Sequence, residues 1–149
     1  MRARAAISSG LLATAAVGAA TVVAPAGRGN AALPTTKDGQ LLRVTERDFQ
    51  ITPAAHRAAP GAIVFRVVNR GPDEHELIVV RDNGHLPLRS DGMTVNEESL
   101  AKQIVGALEP GAPGKVRELH VVLRPGRYLL LCNMYGHYMA GMHSDLVVR

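Results

Sequence analysis

Residues 124–142 read Arg124-Pro-Gly-Arg-Tyr-Leu-Leu-Leu-Cys132-Asn-Met-Tyr-Gly-His137-Tyr-Met-Ala-Gly-Met142, and they carry the clearest structural signal in the chain. The Pro-Gly pair predicts a turn, and the apolar run that follows is typical of a β-strand buried on both faces. A thiol, an imidazole and a thioether come directly after this strand. Four residues separate Cys132 from His137, and four separate His137 from Met142. These spacings allow one loop to curl around a single ion.

Other short apolar or alternating segments, divided by Pro/Gly turns, occupy the chain on either side. Ile63–Val68 is rich in β-branched residues and predicts a strand. His75–Arg81 predicts another, with His75 and the following odd-numbered residues on one face. Further strands are predicted at Leu41–Arg47, Phe49–Ile51, Val116–Leu123 and Asp145–Val148.

Residues 82–113 interrupt the strand pattern. Thr94 followed by Glu97 matches a helix capping box, the apolar residues from Leu100 to Leu108 recur at helical spacing, and Gly106 stands where a C-terminal cap belongs. We therefore predict one short helical insertion near 95–105. Six to eight strands with one such insertion predict an all-β fold, a Greek-key β-sandwich or small barrel.

The length and the cysteine content limit the classes of protein to which the chain can belong. The chain has 149 residues, which fits one ordinary domain. Its single cysteine excludes an intrachain disulfide framework, a Cys-x-x-Cys redox pair, a four-cysteine metal site and a two-cysteine dicopper centre.

The N-terminus has the layout of a secretory signal. Two arginines within residues 1–4 precede an uncharged, alanine-rich run that ends near residue 27. We predict a signal peptide (or a retained N-terminal anchor) at 1–26, a flexible linker at 27–39 and the folded domain at 40–149. The protein is then expected outside the cytoplasm, periplasmic or secreted to the cell surface, with membrane contact only if the anchor is kept. Removal of 1–26 leaves a nearly neutral domain without a Lys/Arg cluster, so nucleic acid is not an expected partner.

The donors in the loop after Cys132, together with an upstream imidazole, suit one metal in particular. His75, Cys132 and His137 can form a trigonal plane of one thiolate and two nitrogens, with the thioether of Met142 as a weak axial contact. That combination of soft sulfur and imidazole donors favours copper.

With these donors in place, the chain from about Leu41 to Val148 resembles the cupredoxins, the small blue-copper proteins that include plastocyanin, azurin and auracyanin. The motifs that carry the resemblance are Asn69-Arg-Gly-Pro-Asp-Glu-His75-Glu-Leu, Leu123-Arg-Pro-Gly-Arg-Tyr-Leu-Leu-Leu-Cys132 and the Cys-x₄-His-x₄-Met loop. It implies a cupredoxin-like sandwich that holds one copper ion per chain, cycling between Cu(I) and Cu(II). His75, Cys132 and His137 would be equatorial ligands and Met142 the axial one.

Two positions depart from the family pattern. Many members have Pro-Gly before the loop histidine, where this chain has Tyr135-Gly136. Many also have Asn after the first histidine, which helps to tie the two ligand loops together. This chain has Glu76 there, which leaves that contact open.

The resemblance implies a one-electron carrier rather than an enzyme, with no substrate of its own and a monomer as the default state. Redox partners would dock near His137, Tyr138 and Met139. A copper oxidase or nitrite reductase is disfavoured because the chain lacks the His-Cys-His motif and the further His pairs that additional copper centres need. The alternative function is an extracytoplasmic copper carrier or buffer that uses the same ligands.

Other interpretations of these residues stay open at this point. Cys132 could be a core residue, a structural zinc ligand with the two histidines, or a cysteine nucleophile with a histidine base. Met139 and His143 could form a second copper site. The unpaired thiol of an exported protein is nevertheless explained best by metal ligation.

Overall fold

A computed structural model describes residues 32–149, which form ten β-strands and one short helix. The predicted signal peptide or anchor at 1–26 and the predicted linker up to residue 31 lie outside the described residues. The strands are β1 Thr35–Thr36, β2 Gly39–Arg47, β3 Gln50–Pro53, β4 Arg57–Ala58, β5 Gly61–Asn69, β6 His75–Arg81, β7 Ile104–Gly111, β8 Val116–Leu123, β9 Gly126–Leu131 and β10 His143–Val148. Nowhere in the described part of the chain is a helix long and apolar enough to cross a membrane.

The strands of this region form two five-stranded sheets. One has the order β1-β2-β5-β8, with β3 paired to β2, and the other has the order β4-β10-β9-β6-β7. β2 and β5 are parallel, as are β4 and β10, whereas the other pairs are antiparallel. The predicted all-β sandwich is confirmed. Ten strands exceed the expected six to eight because β1 and β4, with two residues each, are too short to leave a sequence pattern.

β6 and β9 are buried on both faces. Leu77 of β6 and Leu130 of β9 belong to the core between the sheets, whereas Ile78 and Leu131 face a second apolar cluster. This second cluster is covered by residues 82–103, called the insertion below. The prediction that the strand before Cys132 is buried on both faces is therefore confirmed.

The predicted helix over 95–105 is wrong in its extent. α1 covers only Glu97–Leu100, and Ile104–Gly111 is the strand β7, paired with β6. The apolar residues here recur every four positions, a spacing that fits a helix and, because it is even, also fits one face of a strand. β7 provides the edge of β6 with backbone partners, and this tertiary pairing overrides the local pattern.

The predicted caps of that helix are wrong as well. The N-cap is Asn96, whose side chain accepts a hydrogen bond from the Ser99 N–H at 3.1 Å, rather than Thr94. Gly106 lies inside β7 instead of at a helix end. A Cβ atom there would lie 2.8 Å from Val121 Cγ1, so this glycine allows β8 to pack closely on β7.

Candidate metal centre

Three of the four predicted ligands meet at one edge of the sandwich. His75 begins β6 and Cys132 directly follows β9, and because these strands are antiparallel neighbours both residues lie at the same end. His137 lies in the loop that follows. The potential ligand atoms of the three residues all lie within 4.8 Å of one another, and Cys132 Sγ is 3.4 Å from His137 Nδ1.

His75 uses its two ring nitrogens differently. It is fully buried, and its Nε2 lies 2.8 Å from Asp48 Oδ1, to which it donates. Its Nδ1 is also buried and has no hydrogen-bond partner among residues 32–149. A carboxylate acceptor keeps the ring proton on Nε2 and leaves the Nδ1 lone pair free. A buried nitrogen without a partner is costly, so this lone pair is what a metal ion would use.

Gly71 covers the bond between His75 and Asp48. A Cβ atom at this position would lie 2.6 Å from Asp48 Oδ1 and 2.9 Å from His75 Nε2. The side chain of Asn69 holds the turn in place, because its Oδ1 accepts the Gly71 N–H at 2.9 Å and its Nδ2 donates to the Asp73 carbonyl at 2.7 Å. The turn before His75 therefore requires a residue without a side chain at position 71.

Cys132 is fully buried and its thiol is neutral in the metal-free protein. Burial raises the pKa of the Cys132 thiol to about 11, and the carboxylates of Glu76 and Glu46 act in the same direction. Backbone hydrogen bonds at Glu76 and Met134 oppose this shift without cancelling it. Such a thiol becomes a thiolate at neutral pH only in the company of a cation.

The loop from Cys132 to Met142 is closed by its own backbone. The Cys132 N–H donates to the Met142 carbonyl at 3.1 Å, and the Met142 N–H donates to the His137 carbonyl at 3.0 Å. Gly136 and Gly141 have φ of +80° and +99°, in the left-handed region that favours glycine. The loop therefore brings the fully buried Met142 beside Cys132 and His137 in the backbone.

Glu76 ties the two ligand-bearing segments together. Its Oε1 accepts the Asn133 N–H at 2.8 Å, which joins the residue after His75 to the residue after Cys132. This is the contact that the departure from Asn left open in the sequence. Burial raises the pKa of Glu76, and the hydrogen bond from Asn133 opposes that shift.

Asn133 also fastens the ligand loop to the insertion. Its side-chain carbonyl accepts the Val95 N–H at 2.6 Å, and its amide donates to the Val95 carbonyl at 3.0 Å and to Glu97 Oε1 at 2.6 Å. The side chain of Asn133 is buried, so these hydrogen bonds are shielded from water. The insertion therefore supports the candidate centre from the side opposite the sandwich core.

A buried ion pair lies close enough to affect Cys132. Glu46 of β2 is fully buried and pairs with Arg117 of β8, which also donates to the Glu109 carbonyl of β7. Burial raises the pKa of Glu46, and the guanidinium of Arg117 opposes the shift. Through its bond to the Glu109 carbonyl, Arg117 links both sheets at the end that holds the candidate ligands.

The outer edge of the centre is apolar. His137 is partly exposed, and the ring of Phe49 packs edge-on against it with centroids 5.2 Å apart. Phe49, Tyr135 and Met139 are 46%, 73% and 50% exposed, and we call these three residues with His137 the port surface. Partial burial and the adjacent imidazole of His75 lower the pKa of His137, so its ring is neutral at pH 7.

Tyr138 and His143 lie beside the port surface. Tyr138, which the sequence placed in the docking region, is partly buried against the second apolar cluster. Its ring centroid is 5.0 Å from that of His143, which is exposed. The second copper site of Met139 and His143 stays a prediction.

The donor geometry fits a metal ion of the predicted kind. Ligand atoms about 2.1 Å from an ion in a trigonal plane lie about 3.6 Å from one another. The Sγ–Nδ1 distance of 3.4 Å is close to this value, and the candidate ligand atoms of all three residues lie within 4.8 Å of one another. One thiol, two imidazoles and a thioether are the donor set of electron-transfer copper sites. In this chain Met142, which would supply the thioether, is buried at the end of the loop that holds His137.

Sequence reasoning missed the residues that support the ligands from a distance. Asp48 and Phe49 lie in the turn between β2 and β3, and only the folded sheets bring that turn to the two histidines. Nothing local marks either residue. Gly71 had a signal, because a Gly-Pro pair four residues before a candidate ligand indicates a tight backbone approach.

No protein-family model and no curated protein matches the chain. Solved structures do resemble it. Auracyanin B has a TM-score of 0.58 at 18% identity, over 81% of this chain and 96% of that one. Rusticyanin from Thiobacillus ferrooxidans has a TM-score of 0.51 at 14% identity, over 74% and 79% of the two chains. An azurin from Methylomonas sp. strain J has a TM-score of 0.50 at 11% identity, over 73% and 97%.

At these identities the comparison establishes the fold. The chain has the two-sheet sandwich of the cupredoxins, as its sequence predicted.

Proposed function

We propose that this chain with a cupredoxin-like fold is a one-electron carrier that binds a single copper ion. His75, Cys132 and His137 serve as the equatorial ligands and Met142 as the axial ligand. The observation that carries the proposal is the meeting of His75, Cys132 and His137, whose candidate ligand atoms lie within 4.8 Å of one another. The buried Nδ1 of His75, unpartnered within residues 32–149, supports it.

The chain's own residues hold the site in one geometry. Asp48 fixes the ring of His75, Glu76 joins the two ligand segments, and Asn133 anchors the loop to the insertion. Copper bound here would supply the change between Cu(II) and Cu(I). A site that changes little between the two states lets an electron pass with little reorganisation, which suits a carrier.

Voltammetry of the copper-loaded protein tests this function. We expect a reversible one-electron wave that keeps its position over repeated cycles, with copper retained in the presence of a Cu(I) chelator. Rapid loss of copper to the chelator on reduction would contradict the proposed electron-transfer function. It would favour the alternative, a copper carrier or buffer.

We also propose that electrons enter and leave through the port surface. An apolar patch around a partly exposed ligand suits brief, weak docking. Met139→Lys should slow electron self-exchange between copies of the protein, because each docking event would bring two added charges together in an apolar contact. Val122→Lys is the matched control, since Val122 is 75% exposed and lies on β8, outside the port surface. Equal self-exchange rates in the two variants, measured by NMR line broadening, would contradict this assignment.

Export is proposed on the sequence of the N-terminus. The basic start, the uncharged run and the small residues before residue 27 support a signal peptide or anchor. Mass spectrometry of the protein recovered from its native cells tests the prediction. A mature chain that begins near residue 27 is expected if the signal is cleaved, and a full-length cytoplasmic protein would contradict export.

A further inference from the structure

The turn between β2 and β3 brings two consecutive residues to the two histidines. Asp48 Oδ1 lies 2.8 Å from His75 Nε2, and the ring of Phe49 packs edge-on against His137. The turn is therefore placed to control the orientation of both rings.

We propose that Asp48 is a positioning residue that fixes the tautomer of His75 and lowers the reduction potential of the bound copper. The inference rests on the proposed function. The proposed function names only the four ligands, whereas this inference assigns a role to a carboxylate that would not contact the metal.

The tautomer follows from the chemistry of the acceptor. A carboxylate at neutral pH only accepts hydrogen bonds, so the contacting Nε2 must carry the ring proton. The Nδ1 of the same ring then carries a buried lone pair that has no partner in the described part of the chain. Turning the ring over would leave Asp48 without its partner.

The effect on potential follows from the charge. A carboxylate that accepts the distal N–H of a ligating imidazole makes that imidazole a stronger donor. A stronger donor stabilises Cu(II) more than Cu(I), because the more highly charged ion gains more from it. Each tenfold change in Cu(II) affinity that Cu(I) does not share shifts a one-electron potential by about 59 mV.

The surroundings of Asp48 keep this bond intact. Its side chain is 24% exposed and the His75 ring is fully buried, so water has limited access to the contact. Gly71 lies against both atoms of the bond, with room for no side chain. The carboxylate is thus held by packing as well as by its hydrogen bond.

Three variants separate the hydrogen bond from the charge. Asp48→Asn keeps a side-chain acceptor and removes the charge, whereas Asp48→Ala removes both. Asp73→Asn is the matched control, because Asp73 is exposed and its charge acts on His137 without a side-chain bond to His75.

Two measurements are made on each protein. The first is the ¹⁵N NMR spectrum of the histidines in the metal-free protein. It should show His75 with its proton on Nε2 in the wild type and a mixture of tautomers in Asp48→Ala. The second is the reduction potential of the copper form. It should rise in Asp48→Asn by clearly more than in Asp73→Asn, and Asp48→Ala should lose about 10-fold to 100-fold in Cu(II) affinity.

The outcomes that overturn the proposal are distinct from failure of the proposed function. A proton on His75 Nδ1 in the metal-free wild type would overturn it, as would equal shifts of potential in Asp48→Asn and Asp73→Asn. If the wild type forms no thiolate–copper band, the proposed function fails, and the tautomer measurement still decides the role of Asp48. If Asp48→Ala does not fold, Asp48→Asn, which keeps the volume of the side chain, decides the proposal through its shift of potential relative to Asp73→Asn.

Discussion

Individual atoms of the candidate ligands, and not only the burial of their side chains, distinguish them from ordinary core residues. His75 is buried like a core residue, yet one of its nitrogens is paired with Asp48 and the other has no partner in the described part of the chain. Cys132 is likewise buried, with a thiol that stays protonated until a cation arrives. A packing role alone explains neither feature.

Metal binding should release one proton from Cys132. Because burial raises the pKa of this thiol to about 11, it is protonated over the neutral range, and the ion displaces the proton on binding. The apparent affinity should therefore rise about tenfold per pH unit from neutral pH up to that pKa. Calorimetry with Zn(II) at about pH 8, in buffers of different ionisation enthalpy, should find one proton released per ion. Release of none from the wild type, or an equal release from Cys132→Ser, would contradict this.

Met142→Leu should keep copper bound and raise the reduction potential. Leu has a similar volume, so the fully buried position stays filled, but the weak thioether donor that helps to stabilise Cu(II) is lost. Met139→Leu is the control, since Met139 is half exposed in the same loop. The same shift in both variants, or complete loss of copper from a folded Met142→Leu protein, would show that Met142 is not the axial ligand.

At the scale of elements, the insertion explains where sequence reasoning succeeded and where it could not. The strand before Cys132 and the spacing of the loop were predictable because burial on both faces and the donor spacing are local patterns. The boundary between α1 and β7 was not, because the four-residue repeat from Leu100 onward fits either element until the edge of β6 is known.

The supporting contacts depend on the same long-range assembly. Glu76 could be noticed as a departure, but its bond to the Asn133 N–H exists only after β6 and β9 pair. Asp48 is 27 residues away from His75 and belongs to the other sheet's turn. No periodicity relates such positions, so sequence patterns alone leave them unassigned.

Asn133→Ala should destabilise the metal-free protein by about 1–3 kcal/mol. The substitution leaves the buried Val95 N–H and carbonyl without their side-chain partners, and unmade buried hydrogen bonds carry that cost. Urea unfolding measures the change. Asn83→Ala is the control, because Asn83 is exposed and caps only a loop turn; its effect should stay within about 0.5 kcal/mol. Equal stability of the two variants would mean that the insertion does not support the ligand loop.

At the scale of the whole molecule, the arginine of a buried ion pair connects the two sheets. Glu46 lies in β2, Arg117 in β8, and the Glu109 carbonyl that also accepts from Arg117 lies in β7 of the other sheet. The two sheets are thus joined near the candidate ligands by charge as well as by apolar packing.

Glu46→Gln should lower the free energy of unfolding by about 3–5 kcal/mol, because it leaves the guanidinium of Arg117 buried without its counter-charge. Glu118→Gln is the control: Glu118 forms an exposed pair with Arg66 at 3.7 Å, and its loss should cost about 1 kcal/mol or less. Denaturant unfolding of the metal-free variants makes the comparison. A small and equal loss in both would refute the structural role of the buried pair.

The central claim is that this sandwich holds one copper ion through a cysteine thiolate and two histidines. Titration of the purified protein with Cu(II), followed by visible and EPR spectra, tests it most directly. The account predicts an intense blue or green charge-transfer band that saturates at one copper per chain, with narrow hyperfine splitting, and no such band in Cys132→Ser. Colourless binding, no binding, or a band that survives in Cys132→Ser would contradict it.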